Sequence, residues 1–97
     1  MRVELLYFDD CPNWRIADGR LRSVASKRGL EVKRRRVATP EEAERAGFRG
    51  SPTILIDGQD PFAIEGEASG LACRIYQTPD GPGGSPTEDQ LGAVLDG

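Results

Sequence analysis

Cys11 and Cys73 are the two thiols of a chain that contains no histidine. The missing histidine removes histidine-activated nucleophiles, histidine general bases and most types of zinc site. What remains is thiol chemistry. A cysteine is a nucleophile only as its thiolate, and free backbone N–H groups at a helix start lower its pKa. Cys11 stands at such a junction. The apolar run Leu5-Leu6-Tyr7-Phe8 stops at Asp9-Asp10, and Pro12-Asn13-Trp14 opens a helix-like run. The position points to a reactive thiol, and the alternative reading is a small buried apolar residue. Asp9 and Asp10 disfavour a thiolate and read as capping carboxylates, or as proton relays. Trp14 occupies the place where a local dithiol motif would carry its second cysteine.

Cys73 lies in Leu71-Ala72-Cys73-Arg74-Ile75-Tyr76. In a strand it shares a face with Leu71 and Ile75, which predicts a core cysteine. The other reading makes it the resolving partner of Cys11, which requires Cα atoms about 5.5 Å apart. Trp14 and Phe8 read as core or rim packing, with Trp14 alternatively a specificity surface beside Cys11. Tyr7 and Tyr76 read as packing residues. Gly47, Gly50 and Gly58 read as backbone devices.

The elements that must position these residues follow from pattern. Residues 2–8 read as a strand buried on both faces. Helix one runs from about residue 12 to 28, with Pro12 in its first turn and Gly29 as its stop. Leu30 to Val37 is a strand whose cations Lys33-Arg34-Arg35-Arg36 suit an exposed edge. Thr39-Pro40-Glu41-Glu42 carries a capping box for a short second helix ended by Gly47, with Phe48 placed to fold back. Thr53-Ile54-Leu55-Ile56 is a third strand, followed by an Asp57-Gly58 turn. Residues 59–70 read as irregular, 71–76 as a fourth strand and 78–84 as a loop. Ser85-Pro86-Thr87-Glu88 repeats the capping signature before a terminal helix with Leu91, Val94 and Leu95 as its apolar stripe. The order is β-α-β-α-β-β-α, with strands one and two parallel and strands three and four antiparallel. The expected fold is an α/β domain over residues 1–97, a four-stranded mixed sheet with helices on both faces.

Composition bounds the function. Ninety-seven residues suit one small domain. A net charge of −3 offers nucleic acid no bulk attraction. No apolar stretch approaches a membrane span, and the first residues do not read as a signal peptide. The expectation is a cytoplasmic protein whose isolated thiols stay reduced.

Cys-Pro at the first strand–helix junction, and Ser51-Pro52-Thr53 opening the third strand, resemble the thioredoxin fold. The resemblance covers nearly the whole chain, although residues 59–70 exceed the family's usual link. It implies that Pro52 is cis and lies beside the active-site cysteine, and that backbone near Ser51 pairs with an extended substrate. Leu6 to Trp14, Gly50-Ser51-Pro52-Thr53 with Asp57-Gly58, and Gly70-Leu71-Ala72-Cys73-Arg74 also resemble small bacterial thioredoxin-like proteins. Some of these are labelled alkylmercury lyase-like, and the resemblance implies relatives with selenocysteine at the position of Cys11. Trp14 departs from the thioredoxin C-x-x-C pattern, so a second thiol must come from Cys73 or from outside.

These readings give a thioredoxin-like monothiol redox protein. Cys11 attacks a disulfide, sulfenate or peroxide, and Cys73 or a small thiol resolves the product. Ser51, Pro52 and Trp14 form the substrate-binding set. The partner is a protein or small-molecule thiol or disulfide, with no cofactor, metal, nucleic acid or membrane. Two alternatives stand beside it. One is a non-catalytic binding module. The other is a soft-metal or organomercurial-handling protein, whose two thiolates would suit a soft ion.

Overall fold

The computed structural model describes residues 1–63 and 71–96. Its elements are β1 (Val3–Tyr7), α1 (Asn13–Ser26), β2 (Val32–Arg36), α2 (Pro40–Ala46), β3 (Thr53–Ile56), β4 (Tyr76–Thr78), β5 (Gly81–Gly83) and α3 (Glu88–Asp96). β1 is the centre of a three-stranded sheet of order β2-β1-β3. It runs parallel to β2, with Val3 opposite Val32, and antiparallel to β3, with Leu6 opposite Thr53.

Strand alternation splits the core into two layers. On one face, Val3, Leu5 and Ile54 meet Ala17, Leu21, Val24 and Ala25 of α1 and Leu91 and Leu95 of α3. On the other, Leu6 and Leu55 meet Val37, Ala43 of α2 and Phe48. The central strand is therefore apolar on both faces, as its sequence predicts. β2 is solvent-exposed along Lys33 to Arg36 and lies at the sheet edge. Its charges discourage pairing with another chain.

The caps explain the helix limits. Thr39 accepts a hydrogen bond from the Glu42 N–H, Pro40 opens α2, and Gly47 closes it in the left-handed region at φ 71°. Phe48 then turns back, its N–H bonding to the Ala43 carbonyl at 2.8 Å. The cap of α3 lies two residues later than Ser85 and Glu88 suggest. Thr87 Oγ1 accepts from the Gln90 N–H at 3.1 Å, and the Gln90 side chain accepts from the Thr87 N–H at 2.9 Å. Ser85 is instead buried, its hydroxyl donating to the Pro86 carbonyl.

Among the described residues the expected four-stranded sheet does not form. β4 pairs antiparallel with β5 as a separate two-stranded sheet, so that Gly81–Gly83, expected within a loop, form the second strand of a hairpin. Residues 71–75 form no continuous strand; Cys73 instead makes a single parallel bridge to Ser51. A segment held parallel to the start of β3 cannot also extend antiparallel along it. The irregular link expected at 59–70 lies partly outside the described residues, at 64–70. Among the described residues, no helix is long and apolar enough to cross a membrane.

Candidate functional site

Three pieces of chain converge on Ser51. The first is the chain just past β1, where the Phe8 N–H donates to Ser51 Oγ at 3.0 Å. The second is the Gly50-Ser51-Pro52 turn, in which the Ser51–Pro52 peptide is cis. The third is the segment 72–74. The Ser51 N–H donates to the Ala72 carbonyl at 2.7 Å, and the Arg74 N–H donates to the Ser51 carbonyl at 3.0 Å. Ser51 is fully buried, so its N–H, carbonyl and hydroxyl are all engaged within the protein.

Gly50 makes this approach feasible. Its φ is 112°, a region that side chains with a Cβ rarely enter. A Cβ at this position would lie 2.9 Å from Arg74 Cβ and 3.2 Å from the Ala72 carbonyl oxygen. Thr53 braces the same turn, its hydroxyl donating to the Gly50 carbonyl at 2.7 Å and accepting from the Arg49 N–H at 3.1 Å.

Arg74 anchors the segment from the other side. Its guanidinium donates to Asp60 Oδ2 at 2.7 Å and to the Phe62 carbonyl at 2.7 Å, and lies 4.6 Å from the centre of the Tyr76 ring. Both side chains of the ion pair are buried, at 2% and 3% exposure. Asp60 Oδ1 accepts from the Phe62 N–H at 2.8 Å, and the Tyr76 hydroxyl donates to the Pro52 carbonyl. A buried pair satisfied in this way fixes geometry even where its net stabilisation is small.

The outcome is a disulfide between Cys11 and Cys73, with Cα atoms 5.6 Å apart. Cys11 is buried, at 1% exposure, and its Sγ lies 3.7 Å from the Ser51 carbonyl oxygen. Cys73 is exposed, as is Ile75 at 63%. The expectation of a core cysteine at 73 is therefore corrected. The bridge to Ser51 turns Arg74 inward, and its neighbours on either side point outward.

The structure brings Cys11, Cys73, Ser51 and Pro52 together. Trp14 is half-buried and belongs to a packing arrangement. It stacks on Tyr7 with ring centres 4.3 Å apart, and the guanidinium groups of Arg15 and Arg34 lie 5.6 and 5.8 Å from its ring centre. Asp9 and Asp10 do not cap α1, whose N-cap is Pro12 with no side-chain hydrogen bond. Asp9 pairs instead with Arg36 at 2.7 Å, both side chains exposed. Asp60 and Arg74 are the site residues that sequence reasoning missed. The signal was a charged residue directly beside a cysteine, but its partner stands fourteen residues away. Comparison with family models, with curated proteins and with solved structures gives no match to this chain.

Proposed function

We propose that this chain is a thiol–disulfide exchange protein, related to the thioredoxin-like proteins, whose working redox couple is the Cys11–Cys73 pair. The observation that carries the reading is the bond itself: two thiols separated by 62 residues meet with Cα atoms 5.6 Å apart. Each has its own backbone support, Cys11 at the approach to α1 and Cys73 between two residues bonded to Ser51. In this reading the dithiol gives two electrons to an external disulfide and closes to the intrachain bond. An external thiol pair reopens it. The protein works in the cytoplasm, where thiol reductants return it to the dithiol.

The test is equilibration of the intact protein in glutathione buffers of graded ratio, followed by acid quench and intact-mass measurement. The expected result is a reversible loss of two hydrogen atoms within one chain, absent in Cys73→Ser. A wild type that stays a dithiol throughout, or that accumulates only stable glutathione adducts, would overturn the reading.

A further inference from the structure

The two sulfurs of the bond are unequal in a way that reverses the roles the sequence suggests. Thiolate attack on a disulfide proceeds at one sulfur and expels the other, and access decides which. Cys11 is 1% exposed, enclosed by the turn from Phe8 and by Ser51. Cys73 is exposed, and its neighbours Ala72 and Ile75 also face solvent. An incoming thiolate can reach Cys73 and cannot reach Cys11 without local opening.

We infer that Cys73 is the entry sulfur for external thiols and disulfides, and that Cys11 is the buried resolving sulfur. This inference rests on the exchange reading above. In the reductive direction, an external thiolate forms a bond to Cys73 Sγ, and the Cys11–Cys73 bond breaks. Cys11 leaves with the electron pair and takes a proton from solvent. A second external thiolate attacks the external sulfur of the mixed disulfide and releases Cys73, so that two external thiols are oxidised to one disulfide. In the oxidative direction, the Cys73 thiolate attacks an external disulfide and expels one external thiolate. Cys11 releases its proton to solvent, then attacks Cys73 Sγ as the thiolate and expels the other external thiolate. Two protein thiols are oxidised, and one external disulfide is reduced to two thiols.

The supports on either side of Cys73 suit this role. Ala72 and Arg74 are bonded to Ser51, and Arg74 is bonded to Asp60, none of them through the Cys73 sulfur. Opening the disulfide therefore leaves residue 73 seated, an exposed residue still within reach of Cys11. The second step is then intramolecular, which raises its effective concentration. The leaving sulfur, Cys11, lies at the approach to α1, where the helix dipole favours negative charge.

The experiment uses the reduced wild-type protein under native conditions. It is pulsed with a small excess of iodoacetamide for graded times, denatured and mapped by peptide mass. Cys73 is expected to be modified at least about tenfold faster than Cys11, as access dictates. In parallel, glutathione disulfide is offered to Cys11→Ser and to Cys73→Ser, and the adduct is expected to form faster on Cys11→Ser by a similar factor. Equal rates, or faster modification of Cys11, would overturn the entry assignment while leaving the exchange reading intact if the wild type still loses two hydrogen atoms. A wild type that never forms the intrachain bond would overturn both.

Discussion

Reducing the Cys11–Cys73 bond should cost the fold about 4 kcal/mol at 25 °C, from the loop-closure entropy that a cross-link spanning 62 residues removes from the unfolded chain. The native side should subtract little from that figure. Ala72 and Arg74 remain bonded to Ser51, and Arg74 to Asp60, so the reduced protein keeps residue 73 where the bond had it. The assay is urea unfolding of the oxidised wild type and of the wild type held in dithiothreitol, with Cys73→Ser run in both buffers. The oxidised form should be more stable by the stated amount, the Cys73→Ser protein should match the reduced wild type, and reductant should leave it unchanged. Linkage supplies a second route to the same number. The intrachain disulfide should be favoured roughly a thousandfold more in folded protein than in urea-unfolded protein, at about 1.4 kcal/mol per factor of ten. A stability difference under about 1 kcal/mol would refute the reasoning, because the loop term would then be cancelled by relaxation that the Ser51 and Asp60 contacts are argued to prevent.

Three further outcomes test the supports and the surface. Gly50→Ala should destabilise the protein by about 2 kcal/mol in thermal melts and weaken the intrachain disulfide in glutathione buffer, because its φ of 112° and its 2.9 Å approach to Arg74 admit no Cβ; an unchanged disulfide equilibrium would argue against the close approach. Asp60→Asn should cost about 3 kcal/mol in urea unfolding, since it withdraws the carboxylate from a buried pair, whereas Arg49→Ala, 3.7 Å from the same carboxylate and a third exposed, should cost less than about 1 kcal/mol. At the other end of the molecule, the Arg28 guanidinium donates to Asp96 and holds that carboxyl below its ordinary value of 3.8. The contribution of this pair is present above that value and lost as pH falls through the lower folded pKa, so an NMR titration of Asp96 should show a depressed midpoint that returns upward in Arg28→Ala.

Local signals were legible where one short segment decides the outcome. The Thr39-Pro40-Glu42 cap, the Gly47 stop and the return of Phe48 each depend on neighbours within a few residues, and each is found. The cations of β2 marked an edge because no interior would accept four charges in a row. The segment 71–76 failed for a physical reason. Its hydropathy pattern placed Ile75 inside and Arg74 outside, yet Arg74 is buried and Ile75 exposed. Asp60 supplies the countercharge that makes a buried guanidinium tolerable, and no window on residues 71–76 contains Asp60. The α3 cap failed differently. Ser85/Glu88 and Thr87 with Gln90 both fit a capping signature, and only the burial of Ser85 chooses between them. At the site, the position of Cys11 was readable from its strand–helix junction, whereas its meeting with Ser51 and the cis Pro52 was expected only from the family resemblance. The exposure of Cys73 was not readable, because it follows from one bridge to Ser51.

The disulfide also encloses part of the molecule. α1, β2, α2 and β3 all lie between residues 11 and 73, while β1 lies before the loop and the β4–β5 hairpin and α3 lie after it. Tension applied between residues 1 and 96 would pass through the bond and bypass those four elements. A single oxidised molecule under such a load would extend about 200 Å less than a reduced one, at about 3.5 Å of contour per residue. The redox state would be readable as a length, and opening one bond would release most of the sheet to mechanical force.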